Sequence, residues 1–501
     1  MHGIIGVDVG TTHIKSILFA GDGRVLGEEK TPTPLHRDAS GSWYEPLEIW
    51  RLVSEQLASH RQAFDGELDA ISVTGMAEAG LIVNRKTNRE QTRILPWFET
   101  CTQPLAAGMD AATERERFRV TGLHNSFKYG IYKFQWLLAQ SKTDRQEAVW
   151  LSMCDYIVWK LTGELVTDPS FAARTYAYDI RKNCWDREWL AELGLSEENF
   201  PRVLPSGQTA GFWRAGEGPA EPAIPSEPAV PVALAGHDHV CAAFALLKER
   251  PEAICDSAGT SETYVGRVKQ VPEGGFDPDT GVLYGPFVDG GWFFMASVPS
   301  SGHSVEWFRK RLQLSELSYE ELNRRAMQEQ AGPTGLLYFP YLTGMGSPWY
   351  EAGMRGALIG FGENDGGMKL FCAVMEGIQY QAAWILQRLD SACDTKGKEL
   401  VCAGGAVHNR AMMRIKADVL NRCVRTPQEG EATLVGAAAL FYRKKEGDKA
   451  AAVFLKNALP EGDSYLPDPE RAAAYEEIWK KRFLPMAELL RKYYDTRVKR
   501  S

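Results

Sequence analysis

The sequence predicts an α/β protein of two domains flanking a central cleft, and three observations predict it. At 501 residues the chain is long for a single hydrophobic core. It opens on a meander of three short strands joined by tight polar turns. The first of those turns returns half a chain later, where a second strand-terminal acid precedes a second Gly-Thr pair.

The elements follow in order. Residues 3–9 form an apolar run of strand type, closed by Gly10-Thr11-Thr12. Residues 15–20 are a second strand, Gly21-Asp22-Gly23 a second turn and residues 24–28 a third strand. Short glycine-containing turns between apolar runs make such strands antiparallel neighbours. Asp8 therefore ends a buried strand, beside a turn rich in N–H and hydroxyl groups. Residues 70–74 read as a strand and 80–84 as another pairing nearby; residues 48–63 and 127–140 have helical periodicity. The stretch 205–231, dense in Pro, Gly, Ala and Glu, reads as an exposed connection. A strand over 231–235 runs into Gly236-His237-Asp238-His239, and a helix of small residues over 240–247 follows.

Residues 253–256 repeat the opening. A strand ends at Asp256, and Ser257-Ala258-Gly259-Thr260-Ser261 follows. Recurrence of strand, acid and Gly-Thr signals a duplicated architecture, with chance repetition of a common turn as the alternative. The last third holds a strand over 401–403, Gly404-Gly405, a helix over 409–421 and a second small-residue helix over 431–442. Residues 468–497 form a long amphipathic pattern of mixed charge. Mixed signs suit a packing helix, not a membrane or calmodulin target, and the helix is expected to lie back on the first domain. The domains are set at residues 1–246 and 247–501.

Composition narrows the function classes. A hydrophobic content of 44% and a charged content of 24% are those of an ordered globular chain. The net charge of −8 argues against nucleic acid as a partner. No apolar run is long enough to cross a bilayer, and MHGIIGVDVG lacks the basic and apolar regions of a secretory signal. The nine cysteines are scattered without a CxxC pair, so reduced thiols and no zinc site are expected. A cytoplasmic protein without membrane or nucleic-acid partners is the expectation.

Six motifs then come in order across nearly the whole chain. They are residues 8–15 (DVGTTHIK), Gly236-His237-Asp238, residues 256–262, residues 300–307 (SSGHSVEW), residues 337–344 (LYFPYLTG) with Arg355-Gly356 and Met375-Glu376-Gly377, and residues 404–409 (GGAVHN). Together they resemble the FGGY carbohydrate kinases. The resemblance implies two ribonuclease-H-like domains of the actin-like ATPase type, with ATP and Mg2+ between them. It implies transfer of the ATP γ-phosphate to a hydroxyl of a small-molecule sugar, a ketose or polyol being preferred. A homodimer stays open.

By that resemblance, Gly10, Thr11, Thr12 and Lys15 contact phosphate from the first half, and Gly259, Thr260, Ser261 and Gly302 from the second. A Gly-Thr turn suits this task, because glycine admits the oxygens closely and successive N–H groups form an anion nest. The bland role of these hydroxyls is turn capping, and Lys15 serves equally well as a solvated strand residue. No GxxxxGK[ST] loop is present. Gly404, Gly405 and Asn409 are implied to meet adenosine, the alternative being an ordinary strand-to-helix turn. Asp8 is implied to hold Mg2+, directly or through water, with Asp238 beside it. Asp238 lies between a strand and a helix and can take a hydroxyl proton during transfer. Its bland role is a helix N-cap.

For the acceptor, Gly75-Met76-Ala77-Glu78 is similar to the family's sugar-contacting turn, with Glu78 as the hydroxyl acceptor. Trp97-Phe98-Glu99 resembles the family's pocket-lining stretch, Trp97 stacking on the sugar or joining the core. His239 is assigned to the pocket wall. A metal site made of His237, Asp238 and His239 is awkward, since neighbours in a strand point to opposite faces. Arg174 either reaches the substrate or forms a salt bridge. Ala77 stands where glycerol kinases carry Arg, which argues against glycerol. Lys369 and Met345-Gly346-Ser347-Pro348 depart from the family pattern and leave substrate and regulation open. The competing readings are a nucleotide-dependent sensor or chaperone-like protein, and a filament protein, which would lack the turn at 75–78.

Overall fold

Both halves of the chain build the same sheet. The computed structural model describes residues 1–498 except 40, 215–228, 272–274, 330–331, 352 and 429. The first sheet contains β1 (His2–Val9), β2 (His13–Ala20), β3 (Val25–Pro32), β4 (Glu67–Gly75), β5 (Thr209–Trp213) and β6 (Val230–His237), in the order β5-β6-β4-β1-β2-β3. The second contains β7 (Ile254–Ala258), β8 (Glu262–Val268), β9 (Leu283–Pro286), β10 (Trp292–Val298), β11 (Leu400–Ala403), β12 (Val424–Pro427) and β13 (Glu461–Tyr465), in the order β9-β10-β8-β7-β11-β12-β13. In each, an antiparallel meander leads into two parallel strands reached by crossovers, and an antiparallel strand closes the edge. β1 and β7 hold the same place, so Asp8 and Asp256 are counterparts.

Period-two alternation explains β1. Ile5, Val7 and Val9 face the core under helix α1 (Pro46–Ala63), with Ile49, Val53 and Leu57. Ile4 and Gly6 face the other way, and a Cβ at Gly6 would stand 3.2 Å from Leu434. Asp8 shares that second face by register.

The two halves exchange helices. Helix α2 (Asp238–Leu247) leaves the first sheet and packs on β7 and β8. Helices α3 (Gly302–Arg311), α4 (Gly367–Cys393) and α5 (Arg410–Leu420) belong to the second half. Helix α6 (Ala432–Glu446) returns to pack on β1, β4 and β6. Ser72 donates a 2.7 Å hydrogen bond to the Ala437 carbonyl, and Tyr442 donates to Asp69 at 3.0 Å. α2 and α6 cross where Gly436 meets Cys241: a Cβ there would lie 2.0 Å from the Cys241 oxygen. The small residues of both helices permit that approach, since side-chain bulk sets the interaxial distance.

Residues 80–84 pair nearby as expected, with Arg89–Glu90, and also with Ala148–Ser152, in a separate three-stranded sheet inserted after β4. Two expectations are corrected. Residues 209–213, inside the expected connection, are the edge strand β5; 215–228 lie outside the described residues. The C-terminal segment lies on the second half, not the first. It is helical over Pro469–Ile478, has a π turn over Trp479–Phe483 and is helical again over Leu484–Val498. Phe483 stacks on Phe339 at 4.7 Å, and Trp479 donates to the Tyr380 carbonyl at 3.1 Å. These long-range aromatic partners decide its place. Among the described residues all nine cysteines are free, and no helix is long and apolar enough to cross a membrane.

Candidate active site

The carboxyl ends of β1, β4, β6, β7 and β11 carry the motif turns, the edge where parallel α/β sheets bind ligands. At the end of β1, Gly10 N–H donates to His13 O at 3.1 Å, and the amides of Thr11 and Thr12 make no internal hydrogen bond among the described residues. At the end of β7 the pattern repeats. Gly259 N–H donates to Ser261 O at 2.9 Å, and the amides of Thr260 and Ser261 are open. Paired open N–H groups in a turn form a concavity able to accept an anion.

Asp8 lies beneath the first turn with Oδ1 buried and without a partner. Burial, and then the charge of Asp238, push its pKa up to about 7, against the pull of Lys15 across the strand pair. A lone carboxylate oxygen beside a second carboxylate can accept a small hard cation, which keeps most of its waters and takes few acids. Lys15 itself is engaged by Glu431 of the second half at 2.8 Å.

Asp256 meets a different fate. It is fully buried and ion-paired to Lys416, which also lies 3.0 Å from Glu262. Glu262 accepts from Ser301 at 2.7 Å and from Tyr264, and Cys402 donates to Asp256 at 3.1 Å. The second acid thus has its cation built in, and any metal site is one-sided.

Asp238 begins α2, its side chain 27% exposed. The strand end beneath it is fixed: His237 N–H donates to Ser170 Oγ at 2.8 Å, and Ser170 donates to the buried Asp168. Asp238 Oδ1 accepts from the His239 N–H at 2.6 Å and lies 3.1 Å from His237 Nε2. Burial raises the carboxyl pKa, while the His239 ring and amide and the Arg174 guanidinium oppose that rise and Glu78 adds to it. Burial drives the His237 pKa well down, so that ring is neutral. The rings of His237 and His239 meet edge to face at 5.5 Å.

The acceptor side is made by the insertion after β4. Gly75 has φ +155°, and a Cβ there would lie 2.5 Å from Val9 O and 2.9 Å from Cys154 Sγ. Only glycine turns the chain there. Glu78 sits at φ +61°, a sparsely populated region for a residue with a side chain. Arg174 holds it, donating from Nε at 2.7 Å and from a terminal nitrogen to the same oxygen. Trp97 donates from Nε1 to Thr11 Oγ1 at 3.0 Å, and Thr11 contacts Met76 Sδ at 3.7 Å. Trp97 thereby joins the acceptor wall to the phosphate turn. Ala77 is buried beside them.

Solved relatives share this architecture. Residues 3–245 match the N-terminal domain of the FGGY family of carbohydrate kinases, and residues 256–443 match its C-terminal domain. The chain belongs to the FGGY family. A curated glycerol kinase of Carboxydothermus hydrogenoformans is 28% identical over 457 residues, covering 87% of this chain and 88% of its own. The structure of a ligand-bound xylulose kinase from Lactobacillus acidophilus matches at a TM-score of 0.86 and 21% identity, covering 99% and 100% of the two chains. Plasmodium falciparum glycerol kinase with ADP matches at 0.85 and 18%, covering 97% and 98%. This FGGY kinase is an ATP-dependent phosphotransferase acting on a sugar or polyol, with the two-domain actin-like ATPase fold.

The geometry sorts the residues expected of the FGGY site. Asp8, Gly10, Thr11, Thr12, Met76, Ala77, Glu78, Trp97, Asp238 and His239 cluster on the first half. Gly259, Thr260 and Ser261 form the opposing turn. Gly302 backs that turn: its N–H donates to Gly259 O at 3.1 Å, and a Cβ would lie 2.4 Å from that oxygen. Gly404 and Gly405 are exposed at the end of β11. Asn409 caps α5 through the Met412 N–H at 3.0 Å and turns its amide to Met375 Sδ at 3.4 Å. Its carboxamide is engaged on both sides. Two residues beside Arg174 escaped the sequence reading, Lys128 and Tyr129. Tyr129 is buried, stacks on Tyr176 at 5.2 Å and lies under the Arg174 guanidinium. No motif marks them; a cation and an aromatic just before a helix at 130 were their only signal.

Proposed function

We propose that this FGGY kinase transfers the γ-phosphoryl group of Mg2+-ATP to a hydroxyl of a polyhydroxy acceptor seated against the first half, with Asp238 as catalytic base. One observation carries the reading. Asp238 stands partly exposed between the Glu78–Arg174 pair on one side and Asp8 with the open amides of the first turn on the other. In the reaction the acceptor oxygen bonds to the γ-phosphorus as the bond from that phosphorus to the β–γ bridging oxygen breaks. ADP leaves, and the hydroxyl proton passes to the Asp238 carboxylate.

Asp8, with Asp238 beside it, would hold Mg2+, which offsets negative charge on the phosphates. Open amides of Thr11, Thr12, Thr260 and Ser261 hold the phosphate oxygens. Glu78 accepts from acceptor hydroxyls, Trp97 flanks the carbon chain and His239 lines the wall. Gly404 and Gly405 leave a flat face for the nucleoside. Residues 1–246 and 247–501 act as two bodies that close on the substrates and exclude water. A cytoplasmic location, with ATP and Mg2+ at hand, suits this chemistry.

The test is ADP release by the purified protein with a panel of ketoses, alditols and sugar acids, beside Asp238→Asn. Turnover stimulated by an acceptor, reduced roughly 100- to 10,000-fold in the variant, is expected. ATP binding with no stimulation by any acceptor would favour a nucleotide sensor instead.

A further inference from the structure

Three cations, Arg174, Lys128 and Lys133, stand on the acceptor side of the cleft, and the carboxylates whose charge reaches them are Glu78, Asp238 and Glu99. Arg174 and Glu78 cancel as a pair, both about 10% exposed. Even so, Arg174 Nη1 is buried and has no hydrogen-bond partner among the described residues. Lys128 stands on the neighbouring segment, tied to that of Arg174 by hydrogen bonds from Gly130 N–H to Arg174 O at 3.3 Å and from Ile131 N–H to Thr175 O at 2.9 Å. Its ammonium faces the rings of Trp97 at 5.3 Å and of Tyr350, from the second half, at 5.8 Å. It forms no ion pair or side-chain hydrogen bond among the described residues. Behind it the fully buried Lys133 donates to the Lys128 carbonyl and adds a further cation. Glu78, already held by Arg174, is the carboxylate whose charge reaches both lysines, and Glu99 reaches Lys133 as well.

A partly buried ammonium whose neighbours are aromatic faces gains further from a ligand that supplies an opposite charge. A neutral polyol would satisfy N–H groups without doing so. We propose that the acceptor carries a carboxylate, as a sugar acid does, seated between Lys128 Nζ and Arg174 Nη1 with its reacting hydroxyl towards Asp238. Lys128 Nζ and Arg174 Nη1, neither with a hydrogen-bond partner among the described residues, match the two oxygens of one carboxylate. This rests on the kinase reading above and deepens it. The phosphorylation step is the one already written, so the carboxylate is a handle and does not react.

The test compares matched acceptors of equal carbon number, aldonate against ketose against alditol, plus the sugar phosphate. Wild type is expected to prefer the aldonate by roughly 10- to 100-fold in kcat/KM. Lys128→Met collapses that preference to within about threefold, mainly through KM, and Lys128→Arg restores part of it. Calorimetric titration of aldonate onto wild type and Lys128→Met, each checked for intact thermal unfolding, should show binding to the first and little to the second. Preference for the neutral sugar, preference for the sugar phosphate, or an equal loss on neutral and acidic acceptors would each overturn the proposal and leave the kinase reading standing. No turnover with any acceptor would remove the kinase reading, and this proposal with it.

Discussion

Asp155 shows how one buried carboxyl sets a pH dependence. It forms a capping box with Ser152, accepting that residue's N–H at 3.0 Å, and Thr167 also favours its charged form. Burial outweighs those hydrogen bonds and pushes its pKa up to about 7 from 3.8. The folded state therefore keeps a proton that the unfolded state has lost between those values. Stability from this group is complete below about pH 4 and is lost as pH rises through 7. Asp155→Asn keeps the capping acceptor and removes the titration. Urea unfolding of both proteins across pH 4 to 8 should show the variant gaining on wild type as pH rises, by at most about 4 kcal/mol. A difference independent of pH would mean that Asp155 is ionised in the fold.

At the scale of elements, buried charge ties the second sheet to α5, and close packing ties α2 to α6. Lys416 on α5 pairs with both Asp256 on β7 and Glu262 on β8, all fully buried. Lys416→Met leaves two carboxylates without their cation, and a loss of about 3–5 kcal/mol is expected by chemical denaturation. Adding Asp256→Asn and Glu262→Gln should recover more than half of it, because the stranded charges are then gone. If the triple variant is no better than the single, lost packing is the cause instead. Gly436 makes the complementary case by shape alone. Alanine there would place a Cβ 2.0 Å from the Cys241 oxygen and force α2 from α6. Gly436→Ala should cost about 1–3 kcal/mol in thermal unfolding. Gly108→Ala, where a Cβ meets nothing within 4 Å, should be neutral or mildly stabilising.

Across the whole molecule, local pattern and distant pairing divide what the sequence could tell. Strand β1, its polar turn and the β6-to-α2 junction are short-range signals, readable from alternation and turn residues. The repeat of acid and Gly-Thr marked the duplication that the two sheets display. The partners of those acids were not legible. Lys416 stands 160 residues from Asp256, and α5 has the helical pattern whichever residue it pairs with. Lys128 and Tyr129 were missed for the same reason, since only the fold brings them to Arg174. Trp479 and Phe483 likewise drew the C-terminal segment to Tyr380 and Phe339, against the expectation that it packs on the first half. Asp238 as the base of phosphoryl transfer is tested by following label from γ-32P-labelled ATP into acceptor in wild type and Asp238→Asn at matched nucleotide occupancy. Nucleotide binding should be unchanged and transfer reduced at least about 100-fold; transfer within threefold of wild type would mean that Asp238 is not the base.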